Sequence, residues 1–171
     1  SPYPVNPAGF VIHSAIHGAR DDAQCVLHTH TKAGCAVAAL KCGLLPVNQI
    51  SMEFYGRVAY HDYEGVALDM SEQQRLVQDL GDKSVLMLRN HGLLVGGKSV
   101  AHAFHELHFL ERACQAQIQA LSGNSKLIQP SPEVCRLAAQ QFDREEAEEI
   151  IQLSWKATLT LIEEQRESYC S

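Results

Sequence analysis

The 171-residue chain has no long apolar run. A membrane-spanning helix needs about 20 consecutive apolar residues, so no transmembrane segment and no membrane partner are expected. The sequence also lacks a basic stripe. Lys and Arg number 14 against 20 Asp and Glu, for a formal net charge of −6. The acid gathers late, in Asp143-Arg144-Glu145-Glu146 through Glu149 and again at Glu163-Glu164. That balance argues against nucleic acid as a partner. No C-x-x-C pair occurs: the six cysteines, Cys25, Cys35, Cys42, Cys114, Cys135 and Cys170, are scattered, several in apolar stretches. They read as reduced core thiols of a cytoplasmic protein, not as disulfides or a zinc knuckle. Ser1-Pro2-Tyr3-Pro4 has neither the basic nor the apolar part of a signal peptide. Nor does it resemble a natural initiation, so an upstream part of the domain is expected to precede it.

What the chain has in excess is histidine, nine in all. Its length suits one domain, residues 1–171, with a sizeable core. Asn6-Pro7 reads as an N-cap with proline in the first turn of a helix that runs to Ala19. Gln24 to His28 is short, apolar and reads as a buried strand. Thr31 is positioned to cap a helix over Lys32 to Lys41, stopped by Cys42-Gly43. Leu44 to Asn48 and Gly56 to Tyr60 read as strands. Ser71 is expected to cap a helix over Glu72 to Leu80. Ser84 to Arg89 is the clearest strand, Asn90-His91-Gly92 a turn, and Leu93 to Val95 a further strand. Ser99 opens a long helix to about Leu121, broken at Ser122-Gly123-Asn124. A helical extension follows over 131–171, with a break near Phe142-Asp143. Strands interleaved with helices predict an α/β layered domain.

His28-Thr29-His30 ends a predicted strand, where residues i and i+2 face the same side. Strand ends open into clefts. His91 sits past the next strong strand. If the two strands neighbour each other, three imidazoles meet, the ligand pattern of a catalytic zinc-type site with one open position. Imidazole ligands also suit other transition metals. An H-x-H alone is more often a surface or hydrogen-bonded pair than a ligand pair, and a purely structural ion would want a fourth protein ligand. His13 and His17 read as helix packing residues, with His13 able to support the site from behind. His102, His105 and His108 read as a helix face or subunit contact, and His61 as a loop or strand-end residue.

Several segments together resemble the class II aldolase/adducin family: Asn6-Pro7-Ala8-Gly9-Phe10, His13-Ser14-Ala15-Ile16, Cys25 to Thr31, Lys41 to Pro46, Val58 to Tyr63, and Leu88 to Leu93. They run in order from about residue 5 to residue 121 and are most similar to the adducin-like bacterial branch. The resemblance implies a three-layer α/β/α sandwich with a mostly antiparallel central sheet. It implies a homo-oligomer, often a tetramer, acting on a small-molecule substrate. The family's metal ligands fall on His28, His30 and His91, for a divalent ion, most simply Zn. The implied chemistry is lyase-type: aldol cleavage, decarboxylation or isomerisation of a small hydroxylated carbonyl compound or acid, with the ion as Lewis acid and a separate acid/base. The family's usual acid/base glutamate is replaced at Gly9. Glu53, in a segment that approaches a neighbouring subunit's site in some members, is the substitute candidate, with Tyr55 and Tyr60 nearby. Arg89 and Asn90 flank His91 and could orient an anionic substrate or serve structure. The alternative is a non-catalytic, adducin-like scaffold contacting actin. The acidic end Glu163-Glu164-Gln165-Arg166-Glu167 lacks the basic tail that such contact uses.

Overall fold

Asn6 opens the first helix, α1 (Pro7–Ala19): its Oδ1 accepts the Ala8 N–H at 3.1 Å, and Pro7 fills a first-turn position that needs no donor. The computed structural model describes residues 2–123 and 126–169, so the readings on Ser1, Asn124 and Cys170 lie outside the described residues. After α1 come strand β1 (Cys25–Thr29), helix α2 (Lys32–Ala38), the short helix α3 (Gln49–Glu53) and strand β2 (Val58–His61). Helix α4 (Glu72–Leu80), strands β3 (Val85–Leu88) and β4 (Gly92–Gly97), and the long helix α5 (Val100–Ser122) follow. Helices α6 (Pro132–Phe142) and α7 (Ala147–Leu161) then lead into a 3-10 turn and a last helical turn, α8 (Arg166–Tyr169). No described helix is long and apolar enough to cross a membrane.

The sheet runs β1-β4-β3-β2, antiparallel at its first two ladders and parallel at the third. β3 is buried along its whole length, and alternation sends its residues to opposite faces. Leu86 and Leu88 join α1 and α4 in one core through Ile16, Leu76 and Leu80. Val85 and Met87 join α2 and α5 in the other through Val37, Leu110 and Ala113. This is the expected three-layer arrangement. Each fully buried Leu or Ile contributes roughly 1.5–3 kcal/mol, so the two cores together dominate the folding free energy.

Three expectations about local structure fail for identifiable reasons. Leu44 to Asn48 is not a strand, because side chains claim its backbone. The fully buried Gln117 on α5 accepts the Leu45 N–H at 2.7 Å and donates to the Gly43 carbonyl at 2.8 Å. The Tyr60 hydroxyl accepts the Leu44 N–H at 3.0 Å, and Pro46 has no donor. α2 stops at Ala38, short of Lys41, where the chain tightens through Leu40 N–H to Val37 O and Gly43 N–H to Leu40 O. Ser71 makes no side-chain cap; it is already helical, and the Asp69 carboxylate accepts its N–H at 2.8 Å.

Candidate metal centre

Local rules bring His28, His30 and His91 together. On β1, Val26 packs into the α1/α4 core, so His28 two residues on emerges on the same face, and His30 follows the strand end. The strand that precedes His91, β3, is not a direct neighbour of β1. β4 lies between, paired antiparallel to both, with His28 opposite Leu94 and Leu88 opposite Gly92. The β3–β4 turn carries His91 across instead. Its N–H donates to Leu88 O at 3.1 Å, and Asn90 takes the left-handed φ of 55° that asparagine tolerates. Gly92 is required by contact: a Cβ there would lie 2.3 Å from Thr29 O and 3.0 Å from the His30 ring.

The end of α2 grips this turn. Ala38 O accepts the Asn90 N–H at 3.3 Å, Leu40 O accepts Arg89 Nη1 at 2.7 Å, and the Cys35 thiol donates to His91 O at 3.0 Å. The Arg89 guanidinium also lies 4.2 Å from the centre of the Tyr60 ring. Arg89 and Tyr60 are therefore engaged in holding the turn.

The three ring centroids lie 4.6, 4.8 and 4.7 Å apart, and the nearest ligand atoms all fall within 4.8 Å of one another. His28 Nε2 and His30 Nε2 are 2.8 Å apart. His28 Nδ1 is 2.9 Å from Leu93 O. A carbonyl only accepts, so Nδ1 carries the proton and the Nε2 lone pair of neutral His28 points at its partners. Burial, and then its histidine neighbours, pull the His28 pKa down to about 4 against the Leu93 bond; burial and then His30 lower His91. Both effects favour neutral imidazole, the ligating form. Tetrahedral bonds of roughly 2.0–2.1 Å place ligand nitrogens about 3.3 Å apart, within reach of small ring movements here. The trio fits a divalent ion. Among the described residues no fourth His, Cys, Asp or Glu joins the group.

Of the other histidines, His13 lies one turn beyond Gly9 on α1; burial and His17 lower its pKa, and its charge is felt at His28. His17 Nδ1 donates to Ala23 O at 3.0 Å. His102 Nε2 meets Glu148 at 3.0 Å, and His108 stacks on Phe104. His61 is 3% exposed and held between Asp79, 2.7 Å from Nδ1, and Glu72, 3.4 Å from Nε2. Sequence reading missed this buried group. The available signal was that Glu72 and Asp79, seven residues apart, share one face of α4. A small hollow joins His61, Glu72 and the exposed Tyr63 to His91, with the Tyr63 ring 6.4 Å from that of His91. Glu53 is elsewhere. It ends α3 on the α2/α5 side of the sheet, buried against His105, and is not part of the trio's group. All five described cysteines are free thiols, and burial pushes Cys114 up to about 12.

A family model described as Class II Aldolase and Adducin N-terminal domain matches residues 1–118. The chain is 44% identical over 172 positions to a Pseudomonas aeruginosa protein assigned provisionally to the class 2 aldolases, covering 99% of this chain and 66% of that one. It is 51% identical to alpha-adducin of Rattus norvegicus over 119 positions, 69% of this chain but 16% of the adducin. Among solved structures it superposes on an aldolase II superfamily protein from Pseudomonas syringae with a TM-score of 0.86 and 54% identity, covering 98% of this chain and 66% of that one. The L-fuculose 1-phosphate aldolase of Glaciozyma antarctica gives a TM-score of 0.78 at 30% identity, over 94% of this chain and 61% of that one. The chain thus spans less than two thirds of the length of these relatives.

Proposed function

This chain belongs to the class II aldolase and adducin family, and from that premise we propose that it is a metal-dependent, aldolase-like lyase using His28, His30 and His91 to hold a divalent ion, most simply zinc. The reaction class is carbon–carbon cleavage, decarboxylation or isomerisation of a small hydroxylated carbonyl compound or acid. The observation that carries it is the convergence of three imidazoles, one oriented by the Leu93 carbonyl, with no fourth His, Cys, Asp or Glu in their group among the described residues. When bound, the ion supplies Lewis-acid polarisation of a substrate carbonyl.

The chain's own residues do the rest. Leu93 O fixes the His28 ring, and burial keeps His28 and His91 neutral, so neither repels a cation. Gly9 offers no carboxylate to move a proton, although its face of α1 has room for a side chain. Glu53 of the same chain lies on the other layer, so a proton-transfer role for Glu53 falls to a neighbouring copy in a homo-oligomer, such as a tetramer. The Gly9 replacement and the likeness to alpha-adducin favour a second reading, a scaffold that keeps the metal site; co-sedimentation with actin filaments tests it, and no pelleting at moderate salt removes it.

Metal analysis of protein purified without chelator tests the main reading. About one divalent ion per chain is expected, lost in His28→Ala together with the drop in melting temperature on chelation. A metal-free native protein that ignores added zinc, with His28→Ala equally stable, would sink it.

A further inference from the structure

Between α3, α5 and the start of α7, on the opposite side of the sheet from the α1/α4 core, lies a cavity of about 440 Å³. Small-molecule sites run from roughly 300 to 1,000 Å³. Five carboxylates line it; Asp143, Glu145 and Glu148 are exposed, whereas Glu53 and Glu106 are not. Glu53 is 8% exposed and, among the described residues, receives no hydrogen bond; its nearest polar neighbour is His105 Nε2, 3.6 Å from Oε1. Glu106 accepts from Ser84 Oγ at 3.1 Å through Oε1, while its Oε2 is buried with no partner among the described residues.

The three Arg and Lys side chains of the cavity wall already have partners, Arg144 donating to the Gln141 carbonyl at 3.3 Å. Arg57 is bound to Asp143 at 2.6 Å and to the Ala139 carbonyl at 2.7 Å, and Lys98 to Glu148 at 2.6 Å. Phe109, Phe142, Ile150 and Ile151 add apolar lining. Buried carboxylate is costly without a hydrogen-bonding or cationic partner. A metal ion is the weaker candidate, because the ligand atoms here do not converge as the trio's do. A group with several N–H donors on one cationic centre meets Glu53 and Glu106 at once.

We propose that this cavity binds a small primary ammonium compound with an apolar body, its N–H groups donating to Glu53 and Glu106 and its body lying against Phe109 and Phe142. The pKa of Glu106 is pushed up to about 7 by burial and then by Glu53, and Ser84, Arg57 and His105 only partly offset this, which leaves room for a further cation. The site shares no residue with the trio; it shares Glu53 with the proton-transfer role proposed above, so amine binding by Glu106→Gln tests it separately from the metal reading.

Titration calorimetry of the full chain with phenethylammonium chloride, and with 2-phenylethanol as its uncharged counterpart, tests this. Saturable binding of the amine is expected, at least about tenfold tighter than the alcohol. Glu106→Gln and Glu53→Gln are each expected to weaken the amine at least about tenfold and to leave the alcohol unchanged. Chemical-shift mapping provides the second measurement, with perturbations expected at Phe109 and Phe142. No saturable amine binding, equal binding of the two probes, or amine affinity unchanged in a folded Glu106→Gln protein overturns the proposal.

Discussion

Replacing Glu106 by Gln removes a negative charge from the interior while keeping the side chain's shape and its bond from Ser84. The carboxyl sits at about 7 in the folded chain against 4.5 for the free group, because burial, and then Glu53, disfavours its ionised form. The sign follows from proton linkage. Well below 4.5 the group is protonated in both states and costs nothing. As pH rises past 4.5 the unfolded chain ionises first, so the fold loses stability until pH passes about 7. The cost is below about 1 kcal/mol near pH 5 and roughly 3 kcal/mol near pH 8. Glu106→Gln escapes it, so its stability advantage over the parent should grow by about 2 kcal/mol between those conditions. Urea denaturation followed by circular dichroism at both pH values measures this. An advantage that does not change with pH, or that falls as pH rises, refutes the assignment of a buried, cation-free carboxylate.

Three further outcomes are expected. Gln117→Leu strands the Leu45 N–H and the Gly43 carbonyl in the core, and should cost about 2–4 kcal/mol in the same denaturation assay. Gly92→Ala forces a Cβ to 2.3 Å from Thr29 O; it should cost at least about 2 kcal/mol and weaken zinc binding in a competition titration. Gly9→Ala meets nothing closer than Asn6 at 3.9 Å, so it should raise stability by about 0.5–1 kcal/mol, seen as a higher melting temperature.

Periodicity and turn chemistry carried most of the fold. His28 and His30 were readable because strand alternation is a local property, and His91 because Asn-His-Gly marks a turn after a buried strand. The intervening β4 was not readable, since pairing order depends on contacts far apart in sequence. Leu44 to Asn48 misled because its apolar pattern is strand-like, while the groups that claim its backbone, Gln117 and Tyr60, lie on other elements. The burial of Glu53 was out of view for the same reason: what buries it comes from α5 and from helices after residue 131. His61, read as a loop or strand-end residue, ends β2, but Asp79 and Glu72, which enclose it, were out of view.

The hold of α2 on the β3–β4 turn has a consequence for the order of assembly. His28 and His30 are close along the chain, but the place of His91 beside them depends on the β1–β4 pairing and on the hold of Ala38 and Leu40 on the hairpin. Those are long-range contacts, slow to close and late to reward the chain. On the metal reading proposed above, an ion would meet a finished pocket instead of seeding it, and omitting metal during refolding should leave the folding rate unchanged while making the folded protein easier to unfold.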